Sequence, residues 1–127
     1  MPISVEIFDD LKLVIARVTG VMTAEEMMNY QLETWSKRQV VGYDEIVDVT
    51  AVEGFNYEGP SKIKEVTHIS ARMDWANFSR KMAIVAVSDM AVGMARMYQS
   101  YRDNETIGRK EIMIFKTIEQ ARQWLGR

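Results

Sequence analysis

Ile3, Val5 and Ile7 alternate with Ser4 and Glu6, the period-two pattern of a half-buried strand. Asp9-Asp10 makes a polar turn. Leu11 to Val18 reads as a second strand ended by Gly20, so the two pair as an antiparallel hairpin. Thr23-Ala24-Glu25-Glu26 is a capping box: a threonine oxygen and a glutamate three residues on satisfy the free amides at a helix start. The helix is expected to run to about Arg38, with Met28, Leu32 and Trp35 inward, and Gly42 closes the unit. Glu45 to Val49 is a third strand, and Thr50 to Pro60 reads as a loop holding Gly54 and Gly59. Pro60 suits the first turn of a second helix, since its missing amide is not needed there. That helix runs to about Trp75 on a stripe of Ile63, Val66, Ile69 or Ser70, and Met73.

Met82 to Val87 is apolar at nearly every position, as a central strand covered on both faces must be. Ser88 or Asp89 caps a third helix, which carries Met90, Met94, Met97, Tyr98 and Tyr101 as one stripe. Glu111 to Phe115 is a fifth strand. A second capping box, Thr117 to Gln120, opens a last helix with Ile118, Ala121, Trp124 and Leu125. The order β-β-α-β-α-β-α-β-α predicts an α/β fold: a mostly parallel five-stranded sheet with an N-terminal antiparallel hairpin. No linker or repeat divides the chain, so residues 1–127 are read as a single domain.

At 127 residues the chain can bury one full core without staples. The net charge of −2 gives no pull toward nucleic acid. The absence of cysteine removes disulfides and thiolate chemistry. No basic stretch precedes an apolar core at the N-terminus, and no apolar run approaches the roughly 18 residues of a membrane helix. A cytoplasmic setting is the expectation. The ten methionines suit either an adaptable core or a yielding binding surface.

No catalytic set assembles from these residues, and no cofactor is expected. His68, the one histidine, lies mid-helix among Glu65 and Arg72, where a surface role outweighs a general base or metal ligand, so no metal site is expected. Glycine patterns that cradle dinucleotides or nucleoside triphosphates do not occur. Attention falls on the carboxyl ends of the parallel strands, where open sheets gather ligands. Ser88 and Asp89 belong there, as a helix cap or as part of a polar rim. Asp48 either fixes the following loop through a hydrogen bond or joins the same rim. The loop aromatics Phe55 and Tyr57 are contacts or an inward lid. Met94, Met97, Tyr98 and Tyr101 are core, pocket wall or interface.

The element order with Asp48-Val49-Thr50, loop and helix resembles the STAS fold of anti-sigma-factor antagonists. The runs Ala83 to Ala86, Ser88-Asp89, Gly93 to Tyr98 and Ala121 to Leu125 look more closely like the SpoIIAA-like family, also described as STAS/SEC14-like. The antagonists carry a phosphorylatable serine in an Asp-Ser-Ser-Gly-type motif after the third strand. Here Asn56-Tyr57-Glu58-Gly59 stands in its place: the glycine matches, the serines do not, and Ser61 is the nearest hydroxyl. Glu58 offers a fixed charge that mimics a phosphorylated state at a helix N-terminus.

The resemblance implies a non-enzymatic regulatory or interaction module that engages a protein partner, or itself as a homodimer, through Asn56, Tyr57, Glu58, Ser61, Ser88, Asp89 and the third helix. The alternative it implies is a carrier or sensor of a small apolar, lipid-like ligand lodged along the methionine stripe. A dimer has a physical motive: STAS-type helices gather on one side of the sheet, so an irregular segment or a second subunit must cover the other.

Overall fold

The computed structural model describes residues 3–77, 81–103 and 110–127. These form strands β1 (Ile3–Phe8), β2 (Leu13–Thr23), β3 (Asp44–Asn56), β4 (Lys81–Val85) and β5 (Glu111–Phe115). The helices are α1 (Ala24–Thr34), α2 (Pro60–Asn77), α3 (Asp89–Asp103) and α4 (Ile118–Leu125), with a single 3-10 turn at Arg38–Val40. The strands lie in the order β1-β2-β3-β4-β5. β1 is antiparallel to β2, and every later pair is parallel. The predicted element order, hairpin and parallel sheet are all present.

Alternation along β4 divides the core. Met82 and Ile84 face a layer that includes α3, with Ala91 and Ala95 packed onto them. Ala83 and Val85 face α4, where Ala121 and Leu125 close over Leu13, Ile15 and Ile46. β4 is thereby buried on both faces, as its apolar run requires. A third cluster joins Val14 and Ala16 to Tyr30 and Trp35 beneath α1.

The second sheet face corrects an expectation: α4 covers it, not an irregular segment or a second subunit. Beyond the reach of α4 that face turns polar. Arg17 pairs with Glu6 at 2.6 Å, and Asp48 bonds Thr50. The apolar part of that face is thus covered within the chain itself.

β2 and β3 run further than the sequence pattern indicates. β2 continues through Gly20, which sits at φ 67°, as far as Thr23. β3 continues through the expected loop to Asn56. The two strands stay paired to Thr23↔Asn56, with register shifts between Arg17 and Thr19 and between Gly20 and Val21. Each shift places an extra residue in β3, and a bulge frees backbone groups from the ladder. Asp48 Oδ1 accepts from the Thr50 amide at 2.9 Å and from its hydroxyl at 2.7 Å, satisfying the first bulge.

α1 ends four residues early, at Thr34, with Trp35 as its buried C-cap. Its inward residues are Ala24, Tyr30, Gln31 and Thr34; Met28 is half-buried and Leu32 exposed. In α2 the predicted Ile63, Val66 and Ser70 are buried, joined by Thr67 and Ala71. β4 stops at Val85, leaving Val87 exposed.

Candidate functional site

A cavity of about 90 Å3 lies between the sheet and helices α1, α2 and α3. Its floor is Val47 and Val49 of β3 with Met82 and Ile84 of β4. Met27, Tyr30 and Gln31 of α1 form one wall, Ile63 and Val66 of α2 another, and Met94 and Tyr98 of α3 a third. Met22 and Phe55, from the extended ends of β2 and β3, complete it. Val47 sits mid-sheet between β2 and β4 and is half-buried, packed against the neighbouring core clusters while lining the cavity. Among the described residues, four of the chain's ten methionines line this space, and no charged residue does.

Beside this space lies a buried polar knot centred on Glu45. The Lys110 ammonium meets Glu45 Oε1 at 2.7 Å, and the Tyr30 hydroxyl donates to Oε2 at 2.6 Å. Trp35 Nε1 donates to the Tyr30 oxygen at 3.1 Å, and the Lys110 ammonium lies 5.0 Å from the Trp35 ring centre. Tyr98 shares a short hydrogen bond with Ser70 of α2. Burial first, then the nearby Glu45 carboxylate, holds the phenols of Tyr30 and Tyr98 well above their ordinary titration range. Both hydroxyls stay neutral and committed to protein partners.

Of the sequence-derived candidates, Met94 and Tyr98 come together in the cavity wall. Met97 and Tyr101 are half-buried on α3 outside the lining, with the Lys64 ammonium 5.7 Å from the Tyr101 ring. The stripe itself shifts in phase: Met90 is exposed, and the buried line is Ala91, Ala95 and Arg102.

Ser88 caps α3, its Oγ accepting from the Ala91 amide at 3.1 Å, and Asp89 occupies the exposed first turn. Asn56, Glu58 and Ser61 are exposed and Tyr57 half-buried around the start of α2, apart from the cavity lining. Glu58 adopts φ 59°, a left-handed conformation costly for a glutamate. Phe55, read as contact or lid, turns inward. His68 is exposed. Among the described residues no cluster of three His, Cys, Asp or Glu side chains is placed to hold a metal ion, and no helix is long and apolar enough to cross a membrane.

The pattern of apolar positions missed Gln31, Glu45 and Lys110, all polar residues in interior positions. The signal for Gln31 was its spacing from Ala24, Met27 and Thr34, which traces one α1 face at intervals of three and four.

No protein-family model and no curated protein matches the chain. Among solved structures it is similar to an uncharacterized protein of the DUF3478 family with a SpoIIAA-like fold from Shewanella loihica PV-4. The two share a TM-score of 0.63 at 14% identity, over 97% of this chain and 91% of that one. At this identity the likeness concerns the fold, which is SpoIIAA-like, as the sequence resemblance implied.

Proposed function

We propose that this chain is a non-enzymatic binding module whose cavity takes a small, neutral, largely apolar molecule. The carrying observation is the partly open apolar cavity between the sheet and three helices, whose described lining residues are all uncharged. Apolar side chains left without packing partners forfeit dispersion contacts, in an interior where close packing is the rule. Apolar cavities of about 150 Å3 stay dry and admit a single aromatic ring. At about 90 Å3 this one is of the same order. Met22, Met27, Met82 and Met94 can change rotamer to widen it, since methionine is unbranched and polarizable. The ligand class is accordingly ring-sized or short-chain rather than a full-length lipid.

Methionine-methyl NMR tests this reading. Titration with neutral single- and double-ring hydrocarbons should shift the methyls of Met22, Met27, Met82 and Met94 and spare exposed Met90 and Met113. No selective shift at millimolar probe would discard it.

Partner recognition at the carboxyl edge of the sheet is the second reading. Val87 and Met90, 60% and 44% exposed, flank Ser88-Asp89 there. Such a surface suits a protein partner or a second copy. Sedimentation over a wide concentration range tests self-association, and a strict monomer would remove the homodimer.

A further inference from the structure

Among the described lining residues, one buried side-chain oxygen has no hydrogen-bond partner. Of the three polar residues in its lining, Tyr30 is bound to Glu45 and Trp35, and Tyr98 to Ser70. Gln31 differs: it is only 4% exposed, lies in the cavity wall, and its Oε1 has no hydrogen-bond partner. A buried carbonyl without a donor costs about 1–3 kcal/mol, and native cores rarely leave one unsatisfied. Methionine has nearly the same length and would line the wall at no such cost.

We propose that Gln31 is the specificity-determining residue of the cavity, selecting a neutral apolar molecule that carries one N–H or O–H donor. This rests on the cavity reading above and adds a chemical class to it. A carboxylate offers no donor to Oε1, and its charge finds no counterion among the described lining residues. A pure hydrocarbon fills the space but leaves Gln31 Oε1 unpaired. A ring-sized molecule with one donor, of the phenol or indole type, satisfies both the shape and the amide. The donor would meet α1 beside Met27, one turn earlier on the same face, while the ring rests on Val47, Ile84 and Met94.

Indole and indene form a suitable probe pair, alike in size and differing in the N–H donor. Methionine-methyl NMR titrations of the full chain should give indole the tighter binding by roughly tenfold, the factor expected for one buried hydrogen bond made or lost. Gln31→Leu should abolish the preference and retain indene binding; Gln31→Met serves equally if the leucine variant folds poorly. Both variants should also melt at or above the wild-type temperature without ligand, because an unpaired carbonyl has been removed. Equal binding of both probes to wild type, or a preference that survives in the variants, overturns the role of Gln31 and leaves the cavity reading standing. Failure of both probes to bind overturns the two together.

Discussion

The Tyr30 hydroxyl donates a 2.6 Å hydrogen bond to Oε2 of Glu45, a carboxylate with no solvent exposure. Lys110 holds the other oxygen, and the salt bridge shields both charged groups from water. Burying two charges recovers its desolvation cost only when every lone pair and proton finds a partner. Tyr30→Phe therefore removes a partner from Glu45 and from Trp35 Nε1 together. Urea unfolding should show a loss of about 1–3 kcal/mol. Lys110→Met strands the carboxylate and should cost more, about 3–5 kcal/mol. If the two losses were equal and small, Glu45 would be reaching water.

The same knot sets an alkaline limit. The folded-state titration points of Tyr30 and Tyr98 lie above the ordinary value of 10.0, raised first by burial and then by Glu45. A raised folded value means their contribution is complete below about pH 10 and is lost as pH rises through the folded values. Stability should fall steeply above pH 10, and the phenolate absorbance of these two residues should appear only with unfolding. Tyr98→Phe should remove part of that late absorbance step and flatten the decline.

At the acid end, exposed Asp9 is held below its ordinary value of 3.8 by hydrogen bonds from Gln39 and then Tyr43. The depressed folded value makes its contribution present above about pH 4 and lost as pH falls through the folded one. Tyr43→Phe should shallow the acid limb of the stability profile below pH 4 while leaving the neutral plateau's shape unchanged. Urea midpoints across the acid range would read this.

Elements with strong local signals were legible in the sequence. β4 and the Ser88 cap follow from an apolar run meeting a hydroxyl, and the Thr23 and Thr117 caps bond the amides of Glu26 and Gln120 as capping patterns require. The far halves of β2 and β3 were not legible. Gly20 and Gly54 signal a stop locally, but parallel pairing with two bulges absorbs them. The phase of α3 was misjudged because the buried positions are the small Ala91 and Ala95, not the larger and more apolar-looking Met90. Of the candidate site, Met94 and Tyr98 came from helical spacing. Glu45 and Lys110 lie 65 residues apart, so no local pattern pairs them.

Glu58 stores backbone strain where the antagonist motif would stand. With φ at 59° it sits in the left-handed region, which costs a side-chain-bearing residue roughly 1–2 kcal/mol. Glycine removes that cost but gains freedom in the unfolded chain, worth about 0.4–1 kcal/mol against it. Glu58→Gly should therefore stabilise by roughly 0.5–1 kcal/mol, the difference of those two terms. Glu58→Gln keeps the strain and removes the charge, so it should leave stability nearly unchanged. A partner that reads charge at this helix start would lose affinity for both variants alike, since both lack the carboxylate.

Ala95 offers a direct way to separate a functional void from a packing defect. It is 5% exposed, on α3, and its methyl lines the cavity beside Met94 and Tyr98. Ala95→Leu projects three further carbons into about 90 Å3 of empty space. At about 0.8 kcal/mol per buried methylene the transfer gain is near 2 kcal/mol before rotamer restriction and misfit are subtracted. A net rise in stability of about 0.5–2 kcal/mol is expected, the range usual for cavity filling. The same variant should lose binding of ring-sized probes, whereas Met90→Leu on the exposed side of α3 should change neither property. Melting curves read beside methionine-methyl titrations test both halves. A variant that is more stable and still binds would place the ligand elsewhere on the chain.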